Sequence, residues 1–452
     1  MFSCAQILKA TRGKLISGSK SVPIRSISID SRTIKRQEAF LAIKGNNFDG
    51  HDYITQAIKK GASCIIKEEK NKNKVRGSVA CIEVKDTLKA LGDIAGFWRK
   101  RFDIPVIAVS GSNGKTTAKD MIAWVLSQKF KVLKNEGTKN NQIGLPLTVL
   151  NLDDSYDLVV LELGTNHPGE IEYLTSVARP NIGVITNIGH AHLEYFGNLS
   201  GVFKEKAALI HNLNNPAIAV LNADDRFLKN EITKKTKRTF VVGFGIKNQS
   251  DFFASNIVQH KYSLNFCVNR RQEFKLNTLG YNNIYNALIA GAIARIFGLD
   301  YKDIAARLTN FNFPRGRLRF IRSGNIGFID DTYNSNPNSL KQALNALDKF
   351  QTAGRKIFIM GDMLELGRKA RAFHIQAGRE AAKICDSLIA VGRFSKLAAD
   401  SAKDSGLSIE NIFTCRTTQE AAKILRARLS VKNSDIVLVK GSRAMKMEEV
   451  LK

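Results

Sequence analysis

The residues best suited to chemistry in this chain are Gly111, Ser112, Asn113, Gly114, Lys115, Thr116 and Thr117. They follow an apolar run, IPVIAVS, and open a helical pattern, KTTAKDMIAWVLS. Glycines there let backbone N–H groups approach phosphate oxygens, and a helix N-terminus adds partial positive charge. Lys115 would reach the outer phosphates of a nucleotide, and the Thr116 hydroxyl would ligate Mg²⁺. Val109 stands where the full phosphate-loop pattern has another glycine, so the match is a shortened variant. Nucleotide binding is the expected task, with ATP as the ligand.

Three further groups invite chemistry. Glu162, in ELGTNHPGEI (162–171), ends the apolar run DLVVL and so falls at the C-terminal edge of a strand, where open α/β sheets bind ligands. It is a candidate Mg²⁺ ligand. GHAHLEYFG (189–197) offers His190 and His192 after the run IGVITNI; alternate spacing on a strand would turn them to opposite faces. Lys206, in KEKAALI, falls in a helical pattern, and by spacing alone it reads as a solvated surface lysine.

The elements that must position these residues alternate in kind. Strand patterns at IPVIAVS, DLVVLELG (157–164), IGVITNIG (182–189) and AIAVLNA (217–223) are separated by helical stretches, and NNIYNALIAGAIARIFG (282–298) is a strong helix. That order predicts an α/β fold with a mostly parallel central sheet covered by helices on both faces. Before it, SISIDSR, AFLAIKG and ASCIIKE read as strands and DYITQAIKKGA as a helix, a small α/β unit, with a helix following at 86–101. After Pro314, IGFIDD, KIFIMGD, SLIAVG and DIVLVKGS alternate with helices as a further Rossmann-like α/β unit. The expected regions are 1–85, 86–313 and 314–452. A chain of 452 residues rarely builds a single core.

Composition narrows the class. Hydrophobic residues make up 44% and charged residues 24%, which excludes a mostly disordered or collagen-like chain. Lys plus Arg is 69 against 41 for Asp plus Glu, a net charge of +28, which favours anionic partners without dictating the fold. The clusters KNKNKVR (70–76) and KKTKR (234–238) read as solvated loops. Six scattered cysteines show neither zinc nor thioredoxin spacing and fit a reducing cytoplasm. No apolar run reaches membrane-spanning length, and the first residues lack signal-peptide order.

Taken together, GSNGKTT, NNQIGLP (140–146), ELGTNHPGEI, HLEYFG and the lysine of KEKAAL resemble the Mur ligase family of peptidoglycan synthesis, in the family's order over nearly the whole chain. DDTYNSNPNS (330–339), GDMLELG (361–367) and KGSRAMKMEEV (440–450) are similar to the member that joins D-alanyl-D-alanine to UDP-N-acetylmuramoyl-tripeptide. The resemblance implies an ATP-dependent ligase that forms an acyl phosphate, with ADP and phosphate as products and two Mg²⁺ ions at the site. It implies that Glu162 and His192 bind metal and that Lys206 is carbamylated, so that its anionic form joins them. Asn286, Arg317 and Asp331 match nucleotide contacts. Asn140, Asn141, Asn166 and His167 would orient substrate. GNNFDGHDY (45–53) is like members that hold the uridine diphosphate end, which implies such a role for Ser31, Arg32, Asp49 and His51.

Other readings stay open at this level. A sister ligase would add a single amino acid, diaminopimelate or lysine, to the UDP-muramoyl-dipeptide. Folylpolyglutamate synthase shares the core chemistry but should lack the GNNFDGHDY-type region. A basic nucleic-acid-binding NTPase fits the charge, but would cluster its basic residues with aromatics on one element. Here they are spread along the chain. The expectation is a cytoplasmic monomer without nucleic-acid partners.

Overall fold

A computed structural model of the chain describes residues 2–45, 47–71, 75, 79–234 and 238–452. Positions 72–74 and 76 of the first basic cluster and 235–237 of the second lie outside the described residues. Sheets of five, nine and six strands organise the rest, with a small two-stranded sheet near the N-terminus.

Strand Val106–Ser110 lies inside the nine-stranded sheet, parallel to Leu158–Glu162 on one side and Ile182–Ile185 on the other. All five of its residues are buried, as helices on both faces require. Its side chains alternate between two cores. Ile107 and Val109 meet Met121 and Ile122 of helix Lys115–Leu126 and Ile284 and Leu288 of helix Asn283–Ile296. Val106 and Ala108 meet Leu91 and Ile94 of helix Thr87–Arg99 and Leu174 of helix Glu170–Ala178. The sheet therefore presents the C-terminal ends of its parallel strands, and the loops that follow them, along one edge.

The strand patterns run longer in sequence than in structure. The run IGVITNIG ends as a strand at Ile185, because Thr186 and Asn187 turn their side chains to the carbonyl of Asn113. His190 and His192 accordingly lie on a loop and a turn, not on opposite faces of a strand; His192 takes the left-handed conformation, φ +52°, and precedes helix Leu193–Phe196. SISIDSR is a strand only over Ser26–Ser28, since the Asp30 carboxylate accepts from the Arg32 amide at 2.9 Å and forms a turn. Strands Phe252–Gln259, Leu264–Val268 and Gln272–Leu276 extend the central sheet with antiparallel pairing that the βα reading does not anticipate. Their signal is period-two burial: Leu264, Phe266 and Val268 are buried between half-exposed Asn265 and Cys267.

Helix Thr87–Arg99 belongs to two cores at once. Leu91 and Ile94 share one continuous apolar cluster with Ile66, Ile82 and Val84 of the five-stranded sheet and with Val106, Val159 and Leu161 of the central one. The Phe2 ring packs 4.3 Å from Trp98, whose indole N–H donates to the Leu152 carbonyl at 2.8 Å.

The six-stranded sheet runs in the order Arg319–Ser323, Ile326–Asp331, Ile436–Lys440, Lys356–Gly361, Ser387–Val391, Ile412–Cys415. Only its first strand is antiparallel. Asp331 and Lys440 sit side by side at the C-terminal ends of neighbouring strands.

Candidate active site

The loop after Val106–Ser110 is shaped by two glycines. Gly111 has φ +142°, and a Cβ there would lie 2.0 Å from Thr186 Oγ1; Gly114 has φ +84°, and its Cβ would lie 2.8 Å from Asn286 Oδ1. Neither position tolerates a side chain without displacing a neighbour. The Ser112 hydroxyl donates to the Gly189 carbonyl at 3.1 Å and accepts from the Gly189 amide at 2.8 Å. The Asn113 amide donates to Asn187 Oδ1 at 3.1 Å. Thr116 and Thr117 are buried in the first turn of the helix that Lys115 opens. Lys115 Nζ folds back to the Gly111 carbonyl at 2.9 Å. Burial, reinforced by Arg317, lowers the Lys115 pKa, while Glu162 opposes that shift. Asn286 is buried and donates to Asn283 Oδ1 at 3.0 Å.

This loop forms part of a cleft of about 1030 Å³, the space between the central and six-stranded sheets. Ser112 to Thr117, Asn140, Asn141, Glu162, Asn166, His167, His190, His192, Asn286, Arg317 and Asp331 all line it. The structure thus brings together most of the residues that the sequence singles out.

Glu162 is buried at the end of its strand. Its Oε1 accepts from Asn140 Nδ2 at 2.7 Å, while Oε2 is buried with no hydrogen-bond partner among the described residues. An anionic oxygen left so is costly unless a cation completes it. Lys119 and Asn135, both fully buried, support the strand end: Lys119 Nζ donates to the Asn135 carbonyl at 2.7 Å, and Asn135 Oδ1 accepts from the Glu162 amide at 2.9 Å.

Lys206 is only 1% exposed, so the structure overturns its reading as a surface lysine. It does not line the cleft, and among the described residues no hydrogen bond or ion pair holds its ammonium. Burial, then repulsion from Lys115, lowers its pKa to about 7, against partial compensation by Glu205 and Glu162. Glu205 is engaged elsewhere: its carboxylate accepts from the Thr165 hydroxyl and the amides of Gly169 and Ile171, at 3.1, 2.7 and 2.8 Å. Glu170 Oε2 accepts from the amides of Asn166 and His167 at 2.7 and 3.0 Å. These two glutamates organise the TNHPGEI turn (165–171), whose residues Asn166 and His167 line the cleft. Asn141 Oδ1 accepts from the Gly144 amide at 2.9 Å and caps the local turn.

The third region reaches across. Arg317 Nη2 donates to Thr116 Oγ1 at 2.9 Å, and its guanidinium lies 4.2 Å from the Tyr333 ring centroid. Asn336 Nδ2 donates to Asn113 Oδ1 at 2.8 Å, and Asn338 Oδ1 lies 3.0 Å from His190 Nδ1. Lys440 Nζ donates to Asp331 Oδ2 at 2.5 Å and to the Asn334 carbonyl at 2.9 Å. Burial raises the Asp331 pKa, while Lys440 and Arg317 oppose it.

Sequence reasoning did not single out Asn187, Asn336, Asn338, Lys440 or Glu205. Asn336 and Asn338 stand inside DDTYNSNPNS and Lys440 inside KGSRAMKMEEV, so the motifs held them, but contacts made across the cleft have no local spacing to reveal them.

Ser31, Arg32, Asp49 and His51 do not line this cleft. The Ser31 hydroxyl donates to Gln56 Oε1 at 2.8 Å, and exposed Arg32 pairs with Asp30 at 2.8 Å. His51 is buried, its Nδ1 2.6 Å from Asp49 Oδ1 and its Nε2 accepting from the Glu68 amide at 3.1 Å. The described contacts of His51 brace the five-stranded sheet.

Three family descriptions match in chain order: the Mur ligase family catalytic domain over residues 23–99, the Mur ligase middle domain over 109–294, and the Mur ligase glutamate ligase domain over 316–443. UDP-N-acetylmuramoyl-tripeptide--D-alanyl-D-alanine ligase of Bacillus subtilis is 32% identical over 431 residues, covering 95% of this chain and 93% of that protein. The Escherichia coli enzyme of the same name is 34% identical over 440 residues, 95% of this chain and 94% of its own. The fold is similar to a crystal structure of MurF from Acinetobacter baumannii, with a TM-score of 0.90 at 32% identity over 100% of this chain and 98% of that one. It is also similar to MurF ligase from Thermotoga maritima in complex with ADP, with a TM-score of 0.83 at 29% identity over 96% and 97%.

Proposed function

The chain belongs to the Mur ligase family, and from that premise we infer that it joins D-alanyl-D-alanine to UDP-N-acetylmuramoyl-tripeptide using ATP. The observation that carries this reading is full-length similarity to ligases of that name, combined with a phosphate loop and a buried, half-partnered carboxylate in one cleft. A single-amino-acid sister activity lacks comparable support. The assay is phosphate release from ATP with UDP-N-acetylmuramoyl-tripeptide, testing D-alanyl-D-alanine against single amino acids. Dependence on the dipeptide is expected; release only with a single amino acid would move the chain to the sister activity.

A carboxylate does not acylate an amine at neutral pH without activation. In the proposed reaction the tripeptide carboxylate attacks the γ-phosphorus, ADP leaves, and an acyl phosphate forms. The dipeptide amine then attacks that carbonyl, phosphate departs, and the ammonium proton is lost to yield the amide. Such phosphoryl transfer needs position and neutralised charge more than covalent help from the protein. Lys115, released from the Gly111 carbonyl, would meet the transferring phosphoryl. Arg317 would follow from Thr116 to the nucleotide, and Asn286 would face the base. Asn140, Asn141, Asn166 and His167 would orient the substrate carboxylate.

A divalent cation would satisfy the unpartnered Glu162 oxygen. The orphaned Glu162 oxygen and the Thr116 hydroxyl would hold one Mg²⁺, and His192 with carbamylated Lys206 a second. Bound there, the ions would supply charge neutralisation between the carboxylate and the phosphates. Carbamylation consumes the neutral amine: its nitrogen bonds to CO₂ carbon and one proton is lost. With the pKa of Lys206 lowered to about 7, about half the amines are neutral at that pH, against on the order of one in a few thousand for an ordinary lysine.

The pH dependence follows in sign. A lowered lysine pKa means the folded chain binds fewer protons than the unfolded chain between about 7 and the ordinary value of 10.5. Stability contributed by this group therefore rises with pH through that window, and the penalty is full below about 7. Carbamate formation, and with it ligation at fixed CO₂, is expected to rise through the same lower limb near pH 7. A rate profile flat across that limb, with CO₂ held constant, would contradict the assignment.

The proposal extends to the regions. Residues 1–85 would hold the uridine diphosphate end, with Ser31, Arg32, Asp49 and His51 shaping that site; 86–313 would hold ATP, and 314–452 the incoming dipeptide. It extends also to a cytoplasmic monomer, whose six unpaired thiols suit a reducing compartment. No described helix is long and apolar enough to cross a membrane.

A further inference from the structure

Glu365 lies in the segment Gly361-Asp362-Met363-Leu364-Glu365-Leu366-Gly367, after strand Lys356–Gly361 of the third region. The segment docks on the turn that carries His192. The Glu365 carbonyl accepts from the Glu194 amide at 3.3 Å, and a Cβ on Gly367 would lie 3.4 Å from Glu194 Cα. Flanking residues Met363 and Leu366 are buried and anchor it to the core of the six-stranded sheet. Close by, the Phe373 ring lies 5.4 Å from that of His190.

This docking places Glu365 Oε2 2.6 Å from His192 Nδ1, off the ideal hydrogen-bond line. His192 is mostly shielded, while Glu365 is partly open to water. An exposed ion pair would contribute little to stability. An imidazole that ligates through one nitrogen, however, needs its proton on the other, and a carboxylate at that second nitrogen fixes both tautomer and ring orientation.

We propose that Glu365 is a positioning residue for His192: it keeps the ring proton on Nδ1 and leaves Nε2 unprotonated, its lone pair free for a cation. The third region thereby completes a cation site whose other residues belong to the central one. The metal half of this inference rests on the proposed role of His192; the tautomer half does not. Bringing the two regions together and preparing His192 become a single event.

The test uses the full chain with ¹⁵N-labelled histidine at about pH 8, above the ordinary imidazole range, and His192→Asn to assign the signal. Without added cation, long-range ¹⁵N–¹H spectra should show Nδ1–H for His192 in the wild type. Glu365→Ala should move the proton to Nε2, the tautomer favoured in water. Glu365→Gln, whose side-chain oxygen still accepts, should keep it on Nδ1. In ligation assays, the Mg²⁺ concentration for half-maximal rate should rise about 10–100-fold in Glu365→Ala and less in Glu365→Gln, with KM for D-alanyl-D-alanine unchanged. An unchanged His192 tautomer in Glu365→Ala overturns the proposal. A shifted tautomer with an Mg²⁺ requirement within about twofold of wild type overturns its metal half. Should the wild type lack ligase activity, the function proposed above falls while the spectra still decide the tautomer.

Discussion

Lys206→Ala is expected to lower ligation on the order of 10²–10³-fold while leaving ATP binding in place. The reason is the setting of the ammonium. It is buried, it has no carboxylate partner in the described structure, and it is repelled by Lys115. As a cation it is an electrostatic liability; as a carbamate it becomes an anion beside Lys115, and the repulsion turns into attraction. Alanine can form no such adduct, so added bicarbonate should give no rescue. Lys206→Met, closer in volume, separates this loss from packing: it should match alanine in rate while keeping the wild-type urea midpoint more closely. Ligation by either variant within about tenfold of wild type, measured as phosphate release, would remove the carbamate role.

Glu162→Gln carries the second large effect. We expect ligation to fall on the order of 10²–10³-fold, with an increased Mg²⁺ requirement. Stability without cation should move the other way or not at all. In the wild type, Oε2 is a buried carboxylate oxygen without a hydrogen-bond partner among the described residues, and an unsatisfied buried polar group costs about 1–3 kcal/mol, more when charged. The amide keeps an acceptor for Asn140 Nδ2 and loses the charge. Urea unfolding of the cation-free proteins checks this. A variant less stable than wild type by more than about 1 kcal/mol would mean that the carboxylate is structural, not a site awaiting a cation.

Both predictions concern residues whose legibility in the sequence differed for physical reasons. Glu162 was accessible to a local argument, because the end of an apolar strand is a position with a known place in a parallel sheet. Gly111 and Gly114 were equally accessible, since backbone approach to phosphate demands glycine. Lys206 was not. Its helix pattern says nothing about which strand ends pack over it, and its burial beside Lys115 is a property of two segments far apart in the chain. Resemblance to a family supplied the role that spacing withheld. His192 shows a related failure. An expected strand placed it on a face, but Thr186 and Asn187 end that strand early by bonding the phosphate loop. The antiparallel strands from Phe252 to Leu276 carry period-two alternation, but the βα order of the segments before them gives no cue to their antiparallel pairing. Contacts such as Asn336 to Asn113 were beyond any local rule, because both partners are ordinary loop asparagines until the two sheets face each other.

The shared helix Thr87–Arg99 has a bearing on how the molecule comes apart. Its apolar side chains are covered jointly by the five-stranded and nine-stranded sheets, so neither can lose its partner without uncovering leucine, isoleucine and tryptophan to water. The first two regions should then melt as one cooperative unit, although their sequences read as two. The six-stranded region is built on its own apolar clusters, among them Phe358 and Leu438, which Leu279 and Tyr262 of the central region join on one side, and it meets the phosphate loop through Arg317 and Asn336. Polar contacts of that kind exchange readily with water, so the boundary near Pro314 is where movement costs least. The expectation is a larger body and a smaller one that move relative to each other, with the seam between them running through the cleft where the phosphates would sit.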